Sequence, residues 1–315
     1  MRAVLASRLA FMYNLQILAR SVKCSVPQNA GDTERRSARM AERTIMRNIT
    51  LEELLVAGCH FGHQVNRRNP KADEFIFETR SNVNIINLEK TRDGLIAAAE
   101  YLKNLSTKGG YIVVIGTKRQ AKQIVREEVE RARKEGAKGI FYVTLRWIGG
   151  TLTNFSEVSR NVKKLSELTE FLASDKAHEY TKREVVVFGR EKVKLEDLYG
   201  GISGMDRIPD ALVVIGTQLE TTAVKEARLS EITTVGIVDT NADPNIIDYP
   251  IPANDDAVGS IKLITSYLAD AWIEGAKIAN KSAETKMRED EKLKAKALAL
   301  AKKEEAAAIN RRHNS

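Results

Sequence analysis

The sequence is poor in the residues from which short motifs build chemistry. It holds two cysteines, Cys24 and Cys59, which excludes a disulfide framework and fits a reducing compartment. It holds four histidines, His60, His63, His178 and His313, too few for a zinc domain of the usual kind. No apolar run reaches the length that spans a bilayer, so no membrane partner is expected. No Ser-His-Asp or Cys-His constellation has the order or setting of a catalytic site. No dinucleotide fingerprint follows a strand. The Gly116-Thr117-Lys118 order, without the upstream spacing, is not a Walker A loop.

What is present is core and positive charge. The 315 residues are 43% hydrophobic, enough for one large domain or two modest ones. Fifty Lys and Arg against 42 Asp and Glu give a net charge of +8 and a pI near 9.3. The excess favours a polyanionic partner, nucleic acid before an acidic membrane surface; on charge alone a basic soluble enzyme stands level with it.

The chain divides by composition. Residues 1–46 are rich in Arg and Ala, with Asp32 the first acidic residue. That composition resembles an organelle transit peptide, and equally the product of an early start codon ahead of Met40 or Met46. The second reading is preferred. On either reading the segment stands outside the fold. Residues 47–280 form the domain proper, and 281–315 form an Ala, Lys and Glu tail expected to fray from an exposed helix into disorder.

Within the domain, Thr50 and Glu53 have the spacing of a capping box before a short helix that Gly58 ends. Residues 59–71 read as irregular and carry Arg67, Arg68 and Lys71. Strands are predicted at 75–77, 83–86, 111–115, 140–143, 211–215 and 234–238, the central ones as continuous apolar runs suited to burial on both faces. Helices are predicted at 88–105, 118–133, 217–229 and 255–279. Alternating strand and helix implies an α/β fold with a doubly wound parallel sheet of about five strands. Residues 155–200 break the alternation: Val158, Val162, Leu165, Leu168 and Leu172 recur at helical spacing, and a second segment follows Thr181 despite the β-branched Val185-Val186-Val187. An inserted antiparallel helical hairpin is the expectation, with Arg160, Lys163, Lys164, Lys182, Arg183 and Arg190 among its outer positions.

Several constellations invite chemistry. Cys59-His60-Phe61-Gly62-His63 offers three metal ligands without an obvious fourth, so a packed, hydrogen-bonded loop is the preferred reading and no metal is expected. Gly116 to Arg119 joins a buried strand to a helix, where free N–H groups favour an anion; Lys118 and Arg119 then suit nucleic-acid phosphate, and simple capping is the alternative. Arg146 to Asn154 is the most distinctive stretch: Arg146 suits phosphate, and Trp147 suits either a base or the core, with the core favoured. Asp239, Asp243, Asp255 and Asp256 offer weak support for an ion. Asp243-Pro244 reads as a turn, and Asn254-Asp255-Asp256 as the cap of the last long helix.

Taken together these motifs closely resemble the bacterial small-subunit ribosomal protein two family. The resemblance runs over roughly residues 47–280 and rests on Leu51 to Gln64, Asn69-Pro70-Lys71, Ile85 to Thr91, Gly116 to Arg119, Arg146 to Asn154, Gly200-Gly201-Ile202, Pro209-Asp210-Ala211, Asp239 to Pro244 and Ile251 to Ala257 in family order. Two departures stand out: Glu231-Ile232-Thr233 where the family has Gly-Ile-Pro, and Ala253 in place of a Gly. The resemblance implies a flavodoxin-like sheet with the inserted hairpin, no cofactor and no catalysis. It implies a structural constituent of the small subunit that binds small-subunit rRNA and neighbouring ribosomal proteins, including ribosomal protein one, with no homo-oligomer. The expected rRNA contacts are Arg67, Arg68, Lys71, Lys118, Arg119, Arg146, Arg160, Lys163 and Lys164, mostly to phosphate. The expected location is the cytoplasmic bacterial ribosome, or the mitochondrial ribosome if residues 1–45 are a transit peptide. The competing class is a phosphate-ligand enzyme on the same sheet, supported by the strand-edge carboxylates and Gly116-Thr117-Lys118.

Overall fold

The computed structural model describes residues 47–174 and 180–282. The N-terminal extension, the middle of the polar stretch at 174–181 and the Ala/Lys/Glu tail lie outside the described residues. Two units divide the chain, Met1–Met46 and Arg47–Ser315, and everything described belongs to the second.

Helix α1, Leu51–Val56, opens on the expected capping box: the Glu53 N–H donates to Thr50 Oγ1 at 3.2 Å, and the Thr50 N–H donates back to Glu53 Oε2 at 3.4 Å. It closes at Gly58, whose φ of +78° is the left-handed geometry that costs a glycine nothing. The Cys59 N–H then reaches Leu54 O at 3.1 Å and the Gly58 N–H reaches Leu55 O at 3.0 Å, the paired bonds of a Schellman cap.

Three short strands follow: β1 (Phe61–Gln64), β2 (Ile76–Arg80) and β3 (Val83–Ile86), joined as an antiparallel sheet in the order β1-β3-β2. Ser81 and Asn82, at φ of 49° and 63°, make the tight β2–β3 turn. Strand β1 corrects the irregular reading of residues 59–71. A Gly and a His within Phe61-Gly62-His63-Gln64 mask its propensity, and its pairing with β3 overrides the local signal.

The main sheet has five parallel strands: β4 (Ile112–Ile115), β5 (Ile140–Val143), β6 (Ala211–Ile215), β7 (Thr233–Val238) and β8 (Tyr249–Pro252), in the order β5-β4-β6-β7-β8. Numbered within that sheet the order is 2-1-3-4-5, the flavodoxin-like doubly wound arrangement. Strand β8 is a second element that the local sequence pattern does not announce. It is an edge strand, where Pro250 and Pro252 are tolerated, and it follows β7 through only a 3-10 turn at Pro244–Ile246 instead of a helix.

Side chains alternate along β4. Ile112 and Val114 face a layer made of α2 (Leu88–Thr107), α3 (Arg119–Lys134) and a helix α7 over 258–282, through Leu102, Val129 and Leu268. Val113 and Ile115 face the opposite layer, with Phe141, Leu212, Val214 and Val224. Helices on both faces explain why the central strands are apolar at every position. Each large side chain buried here, such as Leu212 or Trp272, contributes about 1.5–3 kcal/mol.

Helices α4 (Phe155–Ala173) and α5 (Lys182–Tyr199) lie between β5 and β6 in sequence. Asn161 meets Tyr199, Lys164 meets Glu191, and Phe171 meets Phe188. Partners that fall in number as the others rise make the pair antiparallel. A Thr181–Glu184 capping box starts α5 and outweighs the β-branched run at 185–187. Helix α6, Thr221–Leu229, completes the second layer.

Candidate nucleic-acid surface and the carboxyl-edge cluster

The nine candidate cations separate into two groups. Arg67, Arg119, Arg146 and Lys163 are exposed and make no ion pair with the described residues. The other five are engaged. Arg68 pairs with Asp73, Lys71 with Asp243, Arg160 with Glu157 and Lys164 with Glu191. Lys118 is the most committed: its Nζ lies 2.7 Å from Asp255 Oδ1 and 2.8 Å from Asp256 Oδ1. Burial pulls its pKa down, but the two aspartates more than reverse that, and the net shift is upward. Lys118 is the N-cap residue of α3 but makes no side-chain capping bond to the helix; its ammonium is spent on the two aspartates.

The Arg67–Lys71 loop is docked and not loose. The Asn69 N–H donates to Thr240 O at 2.8 Å, and Asn69 Oδ1 accepts from the Lys71 N–H at 3.0 Å. The Arg146 loop is held from below. Glu226, buried on α6, accepts from the Gly150 N–H at 2.8 Å and the Leu152 N–H at 3.3 Å. Trp147 packs into the core with Leu152 and Val158, as expected of a lone tryptophan, and leaves Arg146 exposed beside it. Glu226 was not legible as a positioning residue. Its one signal is a carboxylate set among Ala223, Val224 and Ala227 on a buried helix face.

At the carboxyl ends of the parallel strands, four loops converge with β1. Lys118 follows β4, Gly216 follows β6, Asp239 follows β7 and Asp255 follows β8. This is the edge where ligands of such sheets bind. Gly216 has φ +85°, and a Cβ there would lie 2.9 Å from Lys118 Cε, so a glycine both makes the turn and lets the lysine pass. The His63 N–H donates to Thr240 Oγ1 at 2.9 Å, which fixes β1 against the end of β7. The imidazole then lies between carboxylates, Nδ1 at 3.0 Å from Asp239 Oδ2 and Nε2 at 3.4 Å from Asp256 Oδ2. Asp239 raises the His63 pKa against the opposing effect of burial. Burial, then the nearby Asp239 charge, pushes Asp255 up to about 6.

The structure therefore regroups the residues of two motifs. Cys59 is buried and the His60 ring packs at a tilt of 40° against Phe61, and His63 is drawn to other partners, so Cys59-His60-His63 is not an assembled ligand set. His63 instead meets Asp239 and Asp255, with ligand atoms within 4.8 Å of one another. Capping accounts for Asn254 alone, whose Oδ1 accepts from the Asp256 N–H at 2.9 Å and the Ala257 N–H at 3.2 Å; the side chains of Asp255 and Asp256 turn to Lys118 and His63. Asp243 stays outside this group and makes the expected turn, accepting from the Asn245 N–H at 3.0 Å.

The family model described as ribosomal protein S2 matches residues 54–275, which takes in the sheet, the helical pair and the carboxyl-edge cluster. The chain belongs to the ribosomal protein S2 family. It is 45% identical over 227 residues to the small ribosomal subunit protein uS2 of Coprothermobacter proteolyticus, covering 72% of this chain and 82% of that one. It is 43% identical over 237 residues to the uS2 of Koribacter versatilis, covering 75% of this chain and 77% of that one. Membership places the Arg146 loop, the basic loop at 67–71 and the cluster within the shared S2 domain.

Proposed function

We infer that the role of this chain is structural: it is a constituent of the small ribosomal subunit, incorporated with rRNA and other ribosomal proteins, and it is not an enzyme. The observation that carries this is the match to the ribosomal protein S2 family over residues 54–275. The chemistry of the sheet edge agrees. Lys118, the residue on which a phosphate-ligand enzyme would depend, is held by Asp255 and Asp256.

The finer reading assigns RNA contact to the exposed candidates that make no ion pair with the described residues, Arg67, Arg119, Arg146 and Lys163. Arg68, Lys71, Arg160 and Lys164 contribute less, because each must first leave a carboxylate. Lys118 is a structural cation. Contacts of this kind position the protein on phosphate and carry little base specificity. Family resemblance adds ribosomal protein one as a neighbour and the bacterial cytoplasm as the location. Mass spectrometry of the mature N-terminus tests the location: a start near Met40 or Met46 without protease dependence supports it, and a processed leader contradicts it.

Neutralising Arg67, Arg119, Arg146 and Lys163 tests the RNA surface. Binding to small-subunit rRNA is expected to weaken, and the slope of log affinity against log salt to shrink by roughly one unit for each phosphate no longer neutralised. The same change at Arg68, Lys71, Arg160 and Lys164 is expected to move the slope less. Equal effects from the two sets would contradict the division.

A further inference from the structure

We propose that the β2–β3 hairpin is a base-stacking site: Phe77 receives an unpaired base of small-subunit rRNA on its ring, and Arg80 and Arg67 hold the adjoining phosphates. This rests on the rRNA-binding role proposed above and adds Phe77 and Arg80 to its residues.

The first observation is an exposed ring with a structural cause. Phe77 is 71% exposed, the most exposed aromatic side chain among the described residues. Phe75, two residues earlier, is only partly exposed: Lys90 Nζ lies 5.4 Å from its ring centroid, and its carbonyl accepts the Asn87 N–H at 2.9 Å. Phe77 sits at a β-bulge. Ile76 stands opposite Ile86 and Glu78 opposite Ile85, so Phe77 is the extra residue, with no partner across the pair. A bulge re-aims a side chain and ends regular pairing. Strand β2 is an edge strand, paired only with β3, and a bulge spoils such an edge for an added strand. The hairpin therefore offers a ring instead of a backbone ladder, which favours a flat ligand over an extended peptide.

The second observation is rigidity. Ser81 and Asn82 both have positive φ, as a two-residue hairpin turn requires. Thr79 Oγ1 donates to Asn84 Oδ1 at 3.1 Å, and Asn84 Nδ2 donates to His63 O at 3.1 Å. Asn84 is fully buried, so a side chain as well as strand pairing ties the hairpin to β1. A platform already in place loses little freedom when a base stacks on it.

The third observation is charge. Arg80, opposite Val83, and Arg67 are exposed and make no ion pair with the described residues. The Val65 N–H donates to Asn82 O at 3.2 Å, and Arg67 and Val83 line one cavity, so both arginines stand at the turn end of the small sheet. Glu78 is the one carboxylate of residues 76–86, a single opposing charge against two arginines. An aromatic ring beside guanidinium groups is the chemistry that holds unpaired RNA bases, whereas a duplex offers phosphates without a free base face.

The first test is ultraviolet crosslinking of purified small subunits carrying the unaltered chain, read by mass spectrometry of nucleotide-modified peptides. A nucleotide adduct on Phe77 is expected. Binding of the full-length chain to small-subunit rRNA then separates ring from charge. Phe77→Leu is expected to weaken binding by about five- to a hundredfold with an unchanged salt slope, because stacking neutralises no phosphate. Phe77→Trp is expected to keep the affinity. Arg80→Gln is expected to weaken binding and to lower the slope by about one unit. The melting temperature should stay at the parent's value in all three, since the altered side chains are exposed. A folded Phe77→Leu variant with parental rRNA affinity overturns the proposal and leaves the wider RNA-binding role standing. If that variant also enters subunits poorly, the ring belongs to a neighbouring protein. A parent chain that binds no rRNA removes the role on which the proposal rests.

Discussion

At the scale of single residues, the buried carboxylates divide by how they are compensated. Glu226 is buried but accepts two backbone N–H groups. Glu220 is also buried and accepts only the Thr117 hydroxyl, so burial raises its pKa and the hydrogen bond offsets this in part. An acid with a raised pKa binds its proton more tightly when folded than when unfolded. It therefore contributes stability below the ordinary glutamate range and loses that contribution as pH rises through the folded value. Glu220→Gln keeps an acceptor for Thr117 and removes the charge. The variant is expected to melt higher than the parent at neutral pH, with the gap closing as the pH falls through the carboxylate range. A gap that is constant with pH would show that Glu220 titrates the same in both states.

Glu231 makes a second residue-scale case. It occupies the position after the C-cap of α6 with φ 54°. The Ile232 N–H reaches Ala227 O at 2.8 Å and the Glu231 N–H reaches Arg228 O at 3.3 Å, so the Schellman cap is intact. This is the same motif that Gly58 completes on α1, here with a side chain in the left-handed region. Replacing Glu231 by Gly is expected to stabilise the fold by about 1 kcal/mol in chemical denaturation, the strain relieved exceeding the entropy that glycine adds to the unfolded chain.

At the scale of elements, the hairpin of α4 and α5 allows the proposed RNA-binding role to be tested apart from folding. Only Val158, Leu165 and Tyr199 are buried on these helices, all against the second layer of the sheet, while Lys163 and Lys164 are exposed. Reversing both charges is expected to leave the melting temperature within about 1–2 °C, as surface substitutions do, and to weaken uptake into subunits. Normal uptake would remove this face from the RNA interface.

Elements also mark how much was legible beforehand. The largely apolar runs read at 111–115, 140–143, 211–215 and 234–238 announce the buried parallel strands β4, β5, β6 and β7, because a strand covered on both faces has little need of polar positions. The capping box at Thr50 announces one helix start. Strands β1 and β8 were hidden for opposite reasons, one by a Gly and a His, the other by two prolines that only an edge strand accepts. The cluster was hidden for a third reason. His63, Asp239 and Asp255 each looked ordinary in a local motif, and only the parallel topology, which gathers every strand's carboxyl end, brings them into one place. The engagement of Lys118 was likewise out of reach of sequence, since its partners follow β8.

At the scale of the whole molecule, the net charge of +8 is carried in the sequence by residues 1–46 and 283–315, and residues 47–282 hold 33 Lys and Arg against 33 Asp and Glu; many of the cations in that stretch are paired. The proposed RNA surface therefore rests on where Arg67, Arg119, Arg146 and Lys163 are displayed, and not on a net positive charge of the described domain. Sedimentation of native lysate through a sucrose gradient, with detection of this chain, tests the structural role most directly. Co-migration with the small subunit that survives a moderate salt wash is the predicted result; a free pool with none on the subunit would contradict it.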